Sequence, residues 1–172
     1  MPLDSNPQLR LAEASDADAI EAMLLEAARW VDALGVVMWE TGELDRARIE
    51  REIDARQFVV AQAGAEVAGA IRFQLEDALF WPDLPAGRSA FVHRLVVRRA
   101  FKGRGFSQAL LQWAVDHARG LGREALRLDC DADRPKLRRL YEDFGFVLHS
   151  CRQVGPYYVS RYELVLGPTT ND

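Results

Sequence analysis

A chain of 172 residues is long enough to bury a real core, and one domain spanning 1–172 is the natural reading. Its 49% hydrophobic and 28% charged residues are those of an ordinary globular protein, and a net charge of −4 argues against a general nucleic-acid binder. Two cysteines, Cys130 and Cys151, are too few for a disulfide framework and lack metal-ligand spacing, so no metal is expected.

No apolar run approaches about 18 residues, and the N-terminus lacks a signal-peptide pattern. The expectation is a cytoplasmic chain with no membrane partner. Met1 to Pro7 is polar and is expected to fray. Gln8 to Ala14, QLRLAEA, alternates like a first strand. Ser15 is placed to cap a helix, with Asp16 and Asp18 in its first turn favouring the helix dipole. Ile20, Met23, Leu24, Ala27 and Val31 give that helix an apolar face, and it ends near Gly35. Gly35 to Gly42, GVVMWETG, is an apolar segment bounded by glycines. Glu43 to Arg56 reads as a second helix with Leu44, Ile49 and Ile53 inward.

Gln57 to Ala63 and Glu66 to Leu75 read as a hairpin joined by Ala63-Gly64-Ala65. The loop Glu76 to Ser89 contains EDALFWPDLPAGRS, too apolar for a mere linker. Ala90 to Val97 is a largely buried central strand, broken by His93 and Arg94. Gly103 to Gly120 is a helix, with Phe106, Leu110, Trp113 and Leu121 at helical spacing and Gly122 ending it. Glu124 to Asp131 alternates as the next strand. Pro135 opens a helix that runs through Phe144 to Gly145. Phe146 to Val154 and Tyr157 to Leu166 are the last two strands. The order β-α-α-β-β-β-α-β-α-β-β predicts a mixed α/β layer with helices on both faces of its sheet.

The most informative stretch is FVHRLVVRRAFKGRGFSQALL, Phe91 to Leu111. It predicts strand, glycine turn and helix, the arrangement that presents consecutive N–H groups to a phosphate. Glycine permits positive φ and close approach, and the helix N-terminus adds about half a positive charge. Arg98, Arg99, Lys102 and Arg104 add side-chain charge. A Walker A loop would need Lys-Ser or Lys-Thr after its second glycine, whereas Phe106 and Ser107 follow Gly105. A dinucleotide fingerprint would need a third glycine where Gln108 stands. A tight surface turn with solvated arginines remains the plain alternative.

KGRGFS resembles motif A of the GNAT superfamily of acetyl-CoA-dependent N-acetyltransferases, whose pattern is Arg/Gln-x-x-Gly-x-Gly/Ala at the start of a long helix. Gly103 and Gly105 match its two small positions, Ser107 stands where many members carry a third glycine, and Ala100 replaces the usual Arg or Gln. LYEDFGF, Leu140 to Phe146, is similar to the family's Tyr-x-x-x-Gly-Phe ending. The resemblance covers Glu66 to Leu148. It implies a GNAT-like, mainly antiparallel sheet of about seven strands whose central strands splay apart.

It also implies acetyl-CoA as cosubstrate. The pantetheine arm would pair with the backbone of Leu95, Val96 and Val97, and one of their N–H groups would polarise the thioester carbonyl. The pyrophosphate would sit on Lys102, Gly103, Arg104, Gly105, Phe106 and Ser107. Tyr141, four residues before Gly145, stands where the family's proton-donating tyrosine sits. Arg134 stands where relatives often carry an asparagine that bonds the arm.

An acceptor amine must attack as the neutral base, yet an unperturbed Lys amine has a pKa of about 10.4. His93 on the central strand has a ring suited to proton uptake near neutrality, and alternation puts it on the face of Leu95. A satisfied core histidine is the plain alternative. Asp129, Asp131 and Glu76 are strand-end carboxylates able to hold a water. Trp39, Glu40, Phe80, Trp81, Tyr157 and Tyr158 suggest an aromatic acceptor site with one anion for a cationic amine. Packing, or contact with a second copy in a homodimer, would use the same aromatics. Two functional classes follow. One is an N-acetyltransferase acting on a primary amine of a small molecule, peptide or protein. The other is an acyl-CoA-binding sensor or inactive module.

Overall fold

The computed structural model describes residues 6–33 and 44–167. Its strands are β1 (Gln8–Leu11), β2 (Phe58–Ala63), β3 (Glu66–Gln74), β4 (Ser89–Val97), β5 (Ala125–Asp131), β6 (Val147–Val154) and β7 (Tyr157–Val165). Its helices are α1 (Ala17–Asp32), α2 (Arg46–Asp54), α3 (Phe106–Gly120) and α4 (Pro135–Phe144). The strands form one seven-stranded, mostly antiparallel open sheet in the order β1-β2-β3-β4-β5-β7-β6. β4 and β5 run parallel because α3 lies between them in the chain, and a parallel pair needs such a crossover. Gly64, at φ +62°, makes the β2–β3 hairpin turn that the sequence predicts.

Several predicted details differ. The first strand ends at Leu11, and Ala14–Asp16 is one turn of 3-10 helix. Ser15 caps nothing. Instead Glu13 and Asp16 form a reciprocal capping box, and Arg10 holds Asp16 through bonds of 2.6 and 2.9 Å. That hydrogen bonding keeps the Asp16 carboxyl below its ordinary pKa, although burial acts the other way. Helix α2 starts at Arg46, with Asp45 accepting from the Ala47 N–H as N-cap. Leu44 therefore precedes the helix. Leu121 lies past the end of α3 and is exposed, so it does not extend that helix's apolar face. The segment Gly35 to Gly42, with Trp39 and Glu40, lies outside the described residues.

The chain divides into two compact units, each drawn from two stretches of sequence. Met1–Arg72 with Arg94–Trp113 forms the first. Its core gathers Ile20, Met23 and Leu24 of α1, Ile49 and Ile53 of α2, and Phe58, Val60, Ala70 and Val96 of the strands. Burying each large side chain contributes about 1.5–3 kcal/mol. Gly69 lets β3 run close to its neighbours: a Cβ there would lie 3.0 Å from the Val96 carbonyl oxygen and 3.2 Å from Leu110.

Phe73–His93 with Ala114–Asp172 forms the second unit. Leu126, Leu128 and Tyr162 are fully buried in its β5–β7 ladder. The loop between β3 and β4 is strapped to β7 by the buried Arg161, which donates to the Phe80 carbonyl at 3.1 Å and to Asp83 at 2.7 and 3.1 Å. The Asp83 carboxyl, hydrogen-bonded to that guanidinium, is held down at about 2. Among the described residues, no helix is long and apolar enough to cross a membrane.

Candidate active site

The glycine turn takes the predicted form. Arg99–Phe101 is one turn of 3-10 helix, Gly103 and Gly105 follow at φ +76° and +85°, and α3 begins at Phe106. A Cβ on either glycine would meet nothing within 4 Å, so glycine is needed there for backbone conformation rather than for space. The Ala109 N–H reaches back to the Gly105 carbonyl at 3.0 Å, which makes Gly105 the first acceptor of the helix. The amides of Gly105, Phe106, Ser107 and Gln108 precede any intrahelical acceptor. Lys102 and Arg104 are exposed around them. Phe106 is buried and stacks edge-on against Phe101, so only its backbone is available to a ligand. Arg99 and Lys102 lie over the Trp30 ring, 5.1 and 4.9 Å from its centroid. Positive-φ glycines, helix-start amides and two exposed cations fit a pyrophosphate.

Upstream, Val96 of β4 is buried while Leu95 and Val97 are half-buried. Arg94 sits at φ +52°, a left-handed conformation that a long side chain rarely adopts. It interrupts the alternation of β4, so two-residue spacing does not put His93 and Leu95 on one face. Pairing of β4 with β5 runs from Ser89 opposite Ala125 to Phe91 opposite Arg127, and ends before His93.

His93 stands in a small acidic cluster. Its Nε2 lies 2.7 Å from Asp77 Oδ2, and its Nδ1 lies 3.5 Å from Asp129 Oδ1. The Phe80 ring packs at 5.8 Å. The Phe80 N–H donates to Asp77 Oδ1 at 3.0 Å, closing an Asx-type turn. Burial pushes the Asp77 carboxyl up, but the His93 hydrogen bond and charge and the Phe80 and Leu79 amides outweigh it, so it stays below the ordinary range. Asp129 is the reverse case. Burial carries its carboxyl up to about 6, against the charges of His93 and Arg161 and with that of Asp77. Only 10% of its side chain is exposed, and Oδ1 has no hydrogen-bond partner. Burial also pushes the neighbouring Cys130 thiol up to about 12.

Tyr141 is positioned by α4. Pro135 occupies the first turn of that helix, and Gly145, at φ +124°, ends it as predicted. The Tyr141 ring is buried against Phe146 and Tyr162, with centroids 6.0 and 6.4 Å away. Burial raises its phenol above the ordinary value, so it is protonated at any working pH.

The remaining sequence candidates are dispersed. Trp81 is 2% exposed, with the guanidiniums of Arg127 and Arg161 over its ring at 5.0 and 4.5 Å. It anchors the loop in place of lining an open aromatic wall. Glu76 offers its carbonyl to Gln74, and Asp131 caps the Asp133 amide at 2.8 Å. Tyr158 is exposed and Tyr157 half-buried. The structure thus brings together His93 and Asp129 with Asp77, a residue the sequence reading passed over for its neighbour Glu76. The available signal was D-x-x-F in a loop, an aspartate placed to accept the amide three residues on.

Comparison with known proteins agrees. The family model of the acetyltransferase (GNAT) family matches residues 21–146. YesJ of Bacillus subtilis, described as an uncharacterized N-acetyltransferase, is 30% identical over 138 residues, 76% of each chain. A GNAT-family acetyltransferase structure from Listeria monocytogenes superposes with a TM-score of 0.74 at 25% identity, covering 92% of this chain and 95% of its own. The fold is shared with yncA of Salmonella typhimurium, solved with acetyl-CoA, at TM-score 0.72, 18% identity and coverage of 97% and 98%. The chain belongs to the acetyltransferase (GNAT) family and is a transferase with acetyl-CoA as cosubstrate.

Proposed function

We propose that this enzyme transfers the acetyl group directly to a primary amine of a small molecule or protein. The observation that carries the reading is the KGRGFS turn, whose two glycines hold positive φ at the start of α3 in a chain of this family. Lys102 to Ser107 would bind the pyrophosphate. Acetyl-CoA supplies the activated thioester.

His93 accepts a proton from the ammonium form of the acceptor, directly or through water, so that the amine can attack the carbonyl carbon. A backbone N–H within Leu95–Val97 stabilises the oxyanion. Tyr141 supplies hydrogen bonding and a proton to the sulfur as the C–S bond breaks, and solvent restores its own proton. A phenol that stays protonated can donate a hydrogen bond to the departing sulfur. Trp39 and Glu40, in the segment between α1 and α2, would contribute an anionic, aromatic wall for the acceptor, with Asp129 near His93 a further anion.

The test is a panel of primary amines with a free-thiol readout of CoA release, beside calorimetry of CoA binding. Release with at least one amine, abolished by loss of the His93 ring, is expected. CoA binding without release for any amine, lysine-bearing peptides included, would overturn the acceptor reading.

A further inference from the structure

Asp77 donates nothing to the contacts around it. Its Oδ1 receives the Phe80 amide at 3.0 Å, and its Oδ2 faces His93 Nε2 at 2.7 Å. A carboxylate can only accept, so the proton on the shorter contact belongs to Nε2. A neutral imidazole carrying its proton there presents Nδ1 as the basic nitrogen. On that side stands Asp129 Oδ1, 3.5 Å from Nδ1, in a side chain nine-tenths buried and with no hydrogen-bond partner.

We propose that Asp77 pins His93 as the Nε2–H tautomer, and that Nδ1 and Asp129 Oδ1 together receive the proton removed from the acceptor. The inference rests on the acetyltransferase reading and names the machinery behind its base. Asp77 is a positioning residue, acting only through His93. The balance is simple. The acceptor ammonium loses one proton, Nδ1 gains it, and the resulting N–H donates to Asp129, which remains the anion that stabilises the imidazolium. Without Asp129 the cation would form in a half-buried site beside Phe80 with one carboxylate fewer to offset it.

Charged and titratable groups reach this pair from several elements. Asp77 comes from the loop after β3, and Arg161 from β7 bears on Asp129. Cys130 of β5 and Tyr141 of α4 sense the Asp129 charge in turn. Arg161 opposes the uptake of a proton on Asp129 itself, while burial, the larger effect, and the charge of Asp77 favour it.

The test reads the ring directly. At 19.4 kDa the full chain suits long-range 15N correlation of histidine rings. In the wild type at neutral pH, His93 should show a pyrrole-like Nε2 and a pyridine-like Nδ1. Asp77→Asn should mix the tautomers and lower kcat by about 10²-fold, the worth of a well-placed base, with the KM for acetyl-CoA unchanged. Asp77→Glu, which keeps the acceptor, should restore the tautomer. Asp129→Asn should keep it, yet lower the imidazole pKa and move the acid limb of kcat/KM to lower pH. A wild-type ring protonated at Nδ1, or an unaltered tautomer ratio in Asp77→Asn, would overturn the proposal. So would ring shifts that change on chelator treatment, because a cation would then hold the cluster. The tautomer needs no acceptor, so failure of every amine would sink the acceptor reading and leave this result standing.

Discussion

Arg94 and Glu52 meet through a 2.8 Å hydrogen bond between side chains only 6% and 8% exposed. Arg48 and Arg72 reach the other oxygen of the same carboxylate, at 2.9 and 3.3 Å. A buried carboxylate that gathers three guanidiniums fastens α2 to β3 and to the left-handed residue of β4. Glu52→Gln should destabilise the chain by about 3 kcal/mol, the lower end for breaking a buried ion pair. Denaturant melts of the variant check this, and a loss under about 1 kcal/mol would mean the arginines are held elsewhere.

Gly105 and Gly64 form a matched pair of tests. Both have positive φ, +85° and +62°, and neither is crowded. Valine at either position should cost on the order of 1–2 kcal/mol in backbone strain. Only Gly105→Val should also weaken acetyl-CoA binding, by about tenfold or more, as about 1.4 kcal/mol is lost from the phosphate contacts. Calorimetry on both variants separates strain from binding, and equal affinities would place the phosphates elsewhere.

Tyr141→Phe removes a hydroxyl and keeps the ring that packs on Phe146 and Tyr162. Turnover should fall by about 10²–10⁴-fold with the affinity for acetyl-CoA nearly unchanged. Steady-state kinetics with a melting curve on the same protein decide it. Near-normal turnover with a lowered Tm would make Tyr141 a packing residue.

Asp129 predicts an exchange of stability for chemistry. Its folded carboxyl titrates near 6 against an ordinary 3.8. A raised carboxyl contributes stability that is full below the ordinary value and is lost as pH climbs through about 6. At pH 8 the ionised group therefore burdens the fold by about 3 kcal/mol at most, two pKa units at 1.36 each. Asp129→Asn should raise the Tm at pH 8 more than at pH 4, while slowing turnover. A pH-independent change in Tm would contradict the shift.

Much of the fold was legible because its elements are punctuated. Gly64, Gly122, Pro135 and Gly145 mark ends that the backbone respects, and the alternation of β5 survives in its burial from Leu126 to Asp131. The phosphate turn was legible for the same reason, since glycine announces positive φ. Arg94 was not, because nothing in its chemistry signals a left-handed strand residue; Glu52, 42 positions earlier, helps hold it. The cluster at His93 was half legible. His93 and Asp129 lie on predicted strands, but Asp77 lies in a loop anchored by Arg161, whose bonds to Phe80 and Asp83 span 81 and 78 residues. Pairings that distant leave no local periodicity to read.

The burial of Cys130 has a practical consequence at the bench. A disulfide reagent that counts the thiols of released CoA also reacts with accessible protein thiolates. With Cys130 buried and titrating near 12, its thiolate is essentially absent under assay conditions. The background of each folded chain then reduces to the exposed Cys151. A Cys151→Ser enzyme would give a nearly silent baseline. The later appearance of a reactive thiol, Cys130, in that baseline would report unfolding in the cuvette, separating a dead variant from a denatured one in a single trace.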